Sequence, residues 1–415
     1  MSKDSPTNLP RRAPISSLEP GPVDFDREIN RAGSHSVKYD ERQTVFGKSD
    51  VLPLWVADMD FAVPAAITEA LIERARHPIY GYTHFPDSLH EVVIDWMRQR
   101  HGWTVKRDWI VICPGVVPSL NAAVRAFTNV GDPVIIQPPV YPPFFSAITD
   151  HGRKVLPNPL RLENGRYTMD FDHLTQCAKQ AHLLLLCSPH NPVGRVWDKQ
   201  ELACLLDIAE EHDLLVVSDE IHADLIYPGN QHHVTAALAK NPARVITALA
   251  PSKTFNIAGL NLSVLIIPDK TQRAQMTRIF NGIHVSAANP FSIVAFETAY
   301  RKGEPWLTAL LDYLQGTRDC VEAYLTQHLP ALKLIQPQGT YLLWLDCRGL
   351  NMNDSQLHHF FIHEAGLGLN PGTQFGQLEG SGFMRLNIGA PRATILTALK
   401  QLERAIQNRR TNQPD

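Results

Sequence analysis

The sequence predicts an α/β protein with a mainly parallel sheet, followed by a smaller α+β region. Between about residue 100 and residue 290, short apolar runs alternate with longer segments of helical periodicity. The runs are rich in Val, Ile and Leu without polar alternation, which is typical of strands covered on both faces by helices. The 415 residues, 44% of them hydrophobic, suffice for about two or three domains of ordinary size.

Six apolar runs are predicted as strands of this sheet. They are Trp109–Ile112, Pro133–Ile136, Leu183–Leu186, Leu214–Val217, Val245–Thr247 and Val264–Ile267. Helical periodicity occupies two of the intervals, over Ser119–Phe127 and Lys199–His212. After about residue 300 the predicted order is helix Trp306–Leu325, strands Leu332–Ile335 and Tyr341–Leu345, helix Asp354–Ala365, strand Phe383–Ile388 and helix Arg392–Asn408.

These elements suggest four segments. Residues 1–22 are rich in Pro, Ser and charge and lack an apolar core, so we predict a flexible tail and no secretory signal. Residues 61–295 are predicted as the large domain and residues 296–415 as a small α+β domain. Residues 23–60 are expected to join the small domain.

The composition argues against several classes of partner. With 39 Lys and Arg against 42 Asp and Glu, no basic excess points to nucleic acid or to an anionic membrane. No apolar run approaches the roughly 18 residues of a spanning helix. The six cysteines are scattered without a CxxC pair, which is typical of reduced thiols in the cytoplasm.

Polar residues follow four of the predicted strands, where ligands bind in sheets of this kind. Gly115 precedes a helix whose first amides suit a phosphate group. Asn191 is held extended by Pro192, so its amide is presented at a strand end. Taken alone, each of these segments is equally well explained as an ordinary turn.

Asp219 and Lys253 follow two further strands. A buried carboxylate such as Asp219 needs a cation or hydrogen-bond donors, although a helix N-cap also explains it. Most lysines lie on the surface, but Lys253 is expected at the same sheet edge as Asp219 and Asn191. A desolvated lysine can form a Schiff base with a carbonyl, and a carboxylate opposite a pyridinium nitrogen completes the chemistry of pyridoxal phosphate (PLP).

These residues resemble the motifs of the fold-type I PLP enzymes. More narrowly, the chain is similar to the cystathionine β-lyase-like branch, the MalY/PatB-type carbon–sulfur lyases, over nearly everything from residue 23 onward. The motifs that carry this similarity are Trp55–Phe61, Pro114–Val117, Pro139–Tyr141, Asp219–His222 and Ser252–Gly259. The resemblance implies the PLP-dependent transferase fold, with a mainly parallel seven-stranded sheet between helices.

The resemblance also implies how the cofactor would be held. Lys253 would bind it covalently and Asp219 would keep its pyridine nitrogen protonated. Asn191 would bond the ring oxygen, while Tyr141 would stack on the ring. The phosphate would meet the backbone amides of Gly115, Val116 and Val117.

Other positions implied by the resemblance lie around this centre. Tyr82 would reach the phosphate of a neighbouring subunit, which implies a homodimer with shared sites. Arg385 would clamp the substrate carboxylate. Ala250 stands where many relatives have a phosphate-binding serine, so either Ser252 compensates or the phosphate relies on backbone amides.

Several acidic and histidine residues complete the sequence hypotheses. His222 is expected to line the cofactor pocket, and Asp58 to help bind substrate at its entrance. An ordinary N-cap or turn role is expected for Asp60, and His232 is expected on a loop surface. His359 and His363 share a helical face, but no third ligand is evident, so no metal site is predicted.

The implied reaction is β-elimination on cysteine thioethers such as cystathionine, giving a thiol, pyruvate and ammonia. Lys253 would remove the Cα proton, and Tyr141 or Tyr82 would assist the leaving group. An aminotransferase needs the same lysine, aspartate and arginine, so it stays an alternative. A regulatory interaction protein on the same fold is the third hypothesis.

Overall fold

A computed structural model describes residues 23–412 of the chain. Its strands are β1 (Leu52–Pro53), β2 (Ile110–Cys113), β3 (Pro133–Ile136), β4 (Lys154–Pro157), β5 (Arg161–Glu163), β6 (Arg166–Thr168), β7 (Leu183–Cys187), β8 (Leu215–Asp219), β9 (Val245–Leu249), β10 (Ser263–Ile266), β11 (Lys333–Ile335), β12 (Leu342–Asp346), β13 (Leu367–Gly368), β14 (Asn370–Pro371) and β15 (Phe383–Asn387). The predicted tail, residues 1–22, lies outside the described residues.

The helices lie between these strands and at both ends of the described chain. They are α1 (Val37–Asp40), α2 (Arg42–Phe46), α3 (Ala65–Arg76), α4 (Asp87–His101), α5 (Val116–Phe127), α6 (Pro143–Thr149), α7 (Phe171–Ala178), α8 (Lys199–Glu211), α9 (Thr235–Leu238), α10 (Lys270–Gly282), α11 (Pro290–Lys302), α12 (Glu304–His328), α13 (Asp354–His359) and α14 (Arg392–Asn412). None of the helices in residues 23–412 combines the length and the apolar character that crossing a membrane requires.

The predicted α/β class and its seven-stranded sheet are confirmed. The strand order is β2-β10-β9-β8-β7-β3-β4. Of these seven strands, β10 alone runs antiparallel to the other six. Every residue of β7, β8 and β9 is buried. Leu184 and Val216 join one hydrophobic cluster while Leu185 and Val217 join the other, so helices cover both faces of the sheet.

Some element boundaries differ from the prediction. β2 starts at Ile110 because residues 107–109 form a 3-10 turn. The edge strand β4 was not predicted, since its side chains are exposed or half-buried and give no apolar run. Predicted helix Asp354–Ala365 is α-helical only to His359 and continues as a π-turn, Phe360–Glu364.

The C-terminal region contains an antiparallel sheet in the order β11-β12-β15-β14. β1 pairs in parallel with β13, which supports the proposal that residues 23–60 belong with this region. The proposed boundary between residues 295 and 296 falls within α11, so a division there would cut a continuous helix.

The segment Trp55–Phe61, called the strap below, is fixed by two amide side chains, those of Asn256 and Asn387. Asn256 accepts a hydrogen bond from the Met59 N–H at 2.9 Å and donates to strap carbonyls. Asn387 donates to two more, at 2.6 and 2.7 Å. The carbonyl acceptors are those of Val56, Asp58, Met59 and Phe61.

A buried ion cluster ties the N-terminal segment to the strap. Lys38 is fully buried with its Nζ 3.0 Å from the Asp60 carboxylate. The Arg31 guanidinium reaches both Asp58 and Asp60, at 2.6 and 2.7 Å. The expectation of an N-cap or turn role for Asp60 is therefore wrong, because its carboxylate is a buried acceptor in this cluster.

We expect Lys38→Met to lower the free energy of unfolding by about 3 kcal/mol, since it removes one partner of a buried ion pair. Lys48→Met is the matched control, because Lys48 pairs with the largely exposed Asp50 and its loss should change stability by less than about 0.5 kcal/mol. Urea unfolding of both variants measures the difference. Equal losses would contradict a stabilising role for the cluster.

Candidate active site

A cavity of about 190 Å³ lies at the carboxyl edge of the seven-stranded sheet. Nine predicted residues line it, namely Gly115, Val116, Val117, Tyr141, Asn191, Asp219, His222, Ser252 and Lys253. They come together because β2, β7, β8 and β9 all end at this edge. Asp219 ends β8 beside Cys187, the last residue of β7.

The Lys253 side chain lines this cavity and is half-buried. Its Nζ donates a hydrogen bond to the Ala57 carbonyl of the strap at 2.6 Å. Burial lowers the pKa of Lys253 to about 8, although the charges of Asp58 and Asp219 oppose the shift. With a pKa of about 8, roughly a tenth of the amine is neutral at pH 7 and able to attack a carbonyl.

The Asp219 carboxylate is buried in the same cavity. It accepts a hydrogen bond from the Ile221 N–H at 3.1 Å. Burial raises the pKa of Asp219 to about 7, although that bond and the charge of Lys253 lower it. The helix N-cap interpretation is wrong, because residues 220–224 form turns and no helix. A protonated ring nitrogen opposite Asp219 would stabilise its charge.

The turn before α5 shapes the predicted phosphate end. Gly115 has φ +123°, a conformation that favours glycine, and is the residue before the first turn of the helix. Its own N–H donates to the Ser263 hydroxyl at 3.2 Å. The amides of Val116 and Val117 lie in the first helical turn, where N–H groups have no intrahelical acceptor.

Arg385 is buried on β15 and projects its guanidinium towards the cavity residues. Nη1 donates to the Asn191 side chain at 3.1 Å, and Nη2 donates to Asn370 Oδ1 at 2.7 Å and to the Trp55 carbonyl at 2.8 Å. Its Nε has no hydrogen-bond partner among the described residues. Burial lowers the pKa of Arg385 to about 10, which leaves it positively charged at neutral pH.

Two aromatic side chains and one imidazole complete the surroundings. Burial raises the pKa of the cavity-lining Tyr141, so its hydroxyl keeps its proton. Burial and the charges of Lys253 and Arg385 lower the pKa of His222 to about 3, and His222 Nδ1 has no partner in the described part of the chain. Tyr341 donates to the same Ala57 carbonyl as Lys253, at 2.9 Å.

Sequence reasoning missed two of these groups. Tyr341 was assigned only to a strand, although its position after a Gly339 turn brings it to the sheet edge. Asn261 lines the cavity in a left-handed conformation at φ +47° and offers a further side-chain amide. Its place two residues after the predicted lysine motif, Ser252–Gly259, was the available signal.

Other predicted residues lie away from the cavity. The Asp58 carboxylate is held by Arg31 and Lys38, and Tyr82 is fully exposed. The surface expectation for His232 is wrong, because this side chain is buried with its Nε2 2.8 Å from Glu220. Within residues 23–412, no group of three or more His, Cys, Asp or Glu side chains is arranged to hold a metal ion.

Comparison with known proteins then places the chain. The model of the family "Aminotransferase class I and II" matches residues 49–402. The chain belongs to this family. It is 43% identical to the cystathionine beta-lyase PatB of Bacillus subtilis over 92% of its own length and 100% of PatB.

Two solved structures from the family align over almost the whole chain. Cystalysin from Treponema denticola, which contains pyridoxal 5'-phosphate, has a TM-score of 0.91 at 37% identity and covers 94% of this chain and 100% of its own. A PLP-bound putative aminotransferase from Clostridium difficile also scores 0.91, at 39% identity, over 93% of this chain and 100% of its own. The predicted fold, family and PLP cofactor are confirmed.

The cavity of this family member fits PLP on its own chemistry. Lys253 supplies an amine for the aldehyde, and Asp219 supplies a carboxylate for the ring nitrogen. The amides of Val116 and Val117 suit a phosphate. The unpartnered His222 Nδ1 marks polar surface that a ligand would satisfy, since a buried polar atom without a partner is unfavourable.

The lowered pKa of Lys253 predicts how the apoenzyme takes up PLP. Only the neutral amine attacks the aldehyde, so the rate of capture should rise with pH and level off above about 8. An exposed lysine would show the same rise only near about 10.4. Stopped-flow absorbance measures the rate. A rate that continues to climb beyond pH 9.5 would contradict the assignment.

Proposed function

We propose that this protein is a PLP-dependent carbon–sulfur β-lyase that cleaves cysteine thioethers such as cystathionine to a thiol, pyruvate and ammonia. The observation that carries the proposal is the half-buried Lys253, whose pKa is lowered, in one cavity with Asp219 and close to the cationic Arg385. The 43% identity to a cystathionine β-lyase supports this reaction over others in the family.

Each residue has a task that its environment supports. When bound, PLP draws electrons from the substrate α-carbon, which acidifies the Cα proton and weakens a bond at Cβ. Lys253 Nζ, once released as a neutral amine, accepts the Cα proton. Asp219 keeps the pyridine nitrogen protonated by placing a negative charge opposite it.

Substrate recognition falls to Arg385 and its partners. The guanidinium is oriented by Asn191 and Asn370 and retains its charge, so it binds the α-carboxylate of an amino acid. Asn191 would also bond the ring oxygen of bound PLP. Tyr141 would stack on the ring, and its hydroxyl, which holds its proton, would donate that proton to the leaving thiolate.

The remaining predicted contacts hold the cofactor. Val116 and Val117 would donate their backbone N–H groups to the phosphate. The cavity-lining Ser252 would add its hydroxyl and so replace the serine hydroxyl that is missing at Ala250. His222, which lines the same cavity as Asp219, would contact the bound cofactor. Asp58 serves substrate binding indirectly, because its carboxylate is engaged by Arg31 and fixes the strap.

A homodimer with shared sites completes the proposal. Tyr82 is fully exposed on the loop after α3, and the nearby Ile79 and Tyr80 are exposed as well. Tyr80 packs 5.4 Å from Phe291, ring centre to ring centre. A second copy that covered this surface would bury these side chains and bring Tyr82 to its phosphate.

The cytoplasm is the compartment we propose. All six cysteines lie in described residues and are free, and four of them are buried in the core. Thiols in this state are typical of reducing compartments.

Incubation with cystathionine tests the reaction. We expect pyruvate and free thiol to form without any added 2-oxo acid, and Lys253→Ala to reduce this rate by more than about a hundredfold. Lys240→Ala is the control, because Lys240 is an exposed lysine paired with Asp207. Assays of pyruvate and thiol release measure both products.

The aminotransferase alternative predicts the opposite dependence. It requires turnover only when an acceptor such as 2-oxoglutarate is present, with no free thiol. Lys253, Asp219 and Arg385 serve both reactions, and the similarity to a putative aminotransferase supports this alternative. An interaction protein would show neither activity.

Mixed dimers test the role of Tyr82. Co-expression of Tyr82→Ala and Lys253→Ala chains should create one intact site in each mixed dimer, so activity should reach about a quarter of the wild-type value although each variant alone is nearly inactive. The control mixture pairs Asp219→Ala with Lys253→Ala, whose defects lie in the same cavity. Absence of recovery in the first mixture would exclude a shared site.

A further inference from the structure

The segment Asp219–Asp224 has two chemically different faces. Asp219 and His222 line the cavity, whereas Glu220 and Asp224 are buried on the other side among hydrogen-bond donors. Glu220 accepts bonds from the Ser218 hydroxyl at 2.8 Å and from His232 Nε2 at 2.8 Å. The far face therefore anchors the segment that presents the cofactor's carboxylate.

Asp224 gathers donors from two different parts of the chain. Its Oδ1 accepts from Trp96 Nε1 at 3.1 Å and from His101 Nε2 at 3.0 Å, both on α4. Its Oδ2 accepts from the Thr254 hydroxyl at 2.9 Å. The hydrogen bonds from α4 and Thr254 keep the Asp224 carboxylate ionised, because they lower the pKa of Asp224 against the effect of burial.

Thr254 is fully buried and directly follows Lys253. The loop that carries both residues forms turns and has no strand or helix to fix it. Two side-chain contacts fix it instead: Thr254 bonds Asp224, and Asn256 bonds the strap. Lys253 directly precedes the first of these two contacts.

The Thr254–Asp224 bond closes a small ring of chain around the proposed catalytic pair. β8 and β9 are parallel neighbours, and Asp219 pairs with Ala248 where their ladder ends. Beyond that point the two strands diverge into the Asp219 segment and the Lys253 loop. The bond reconnects them, from five residues past Asp219 to one residue past Lys253.

We infer that Thr254 and Asp224 are positioning residues that set the Lys253 amine relative to the Asp219 carboxylate. The inference rests on the proposed function, in which Lys253 carries the cofactor. Arg385 is held by Asn191, Asn370 and Trp55 and shares no partner with Thr254. Loss of the Thr254 bond should therefore impair proton transfer at Lys253 and leave binding of the substrate carboxylate intact.

The chain offers a matched control for this bond. Thr247 on β9 is also fully buried, and its hydroxyl has no hydrogen-bond partner among the described residues. Thr247→Val and Thr254→Val are thus the same substitution in the same strand–loop unit. Only the second removes a hydrogen bond.

The experiment compares the holoenzymes with cystathionine and by absorbance. Thr254→Val should lower kcat between about tenfold and about a hundredfold while KM stays within about twofold, because a misplaced catalytic group costs rate and not ground-state binding. The pH titration of the visible band of lysine-bound cofactor should shift as well. Thr247→Val should match the wild type in all three.

Two further variants complete the test. Thr254→Ser keeps a hydroxyl and should recover kcat to within about threefold of the wild type. Thr254→Ala takes the place of the valine variant if that one does not fold, with the same expected losses. A Thr254→Val or Thr254→Ala variant that matches Thr247→Val in kcat and in the titration would overturn the inference. Absence of a lysine-bound band in the wild type would instead refute the proposed function.

Discussion

The amine of Lys253 and the buried carboxylate of Asp219 share one cavity, and the rest of the site depends on this pair. Burial moves both groups towards neutrality, since it lowers the pKa of Lys253 to about 8 and raises that of Asp219 to about 7. Each charge is therefore unfavourable by itself in this cavity. A cofactor with an aldehyde at one end and a basic ring nitrogen at the other satisfies both groups.

The N-terminal strap provides the fixed reference for this pair through its backbone. The carbonyl of Ala57 accepts from both Lys253 and Tyr341, and that of Trp55 accepts from Arg385. The acidic residues of the same segment point the other way, into the buried cluster with Arg31 and Lys38. The Trp55–Phe61 motif thus serves the site with its carbonyl groups, while its carboxylates hold the segment in place.

The sequence predicted what depends on local patterns and missed what depends on distant contacts. Apolar runs revealed the central strands, and residues after them revealed Asn191, Asp219 and Lys253, because parallel strands end at one edge. The contact of His232 with Glu220 was missed, since a neighbouring Gly229-Asn230 turn suggests an exposed loop. The edge strand β4 was missed for a related reason, because half-exposed side chains give no apolar signal.

The same limit explains why the sequence revealed the cavity-facing residues of Asp219–Asp224 and not the contacts that anchor this segment. A motif match draws attention to side chains that meet a ligand, here Asp219 and His222. The other two acids of the segment, Glu220 and Asp224, accept hydrogen bonds from residues 12 and 30 positions further along the chain, His232 and Thr254. Such contacts leave no periodic signal, yet they decide where the ligand-facing atoms lie. A short motif in a buried turn therefore records two constraints together, the chemistry on one face and the anchoring on the other.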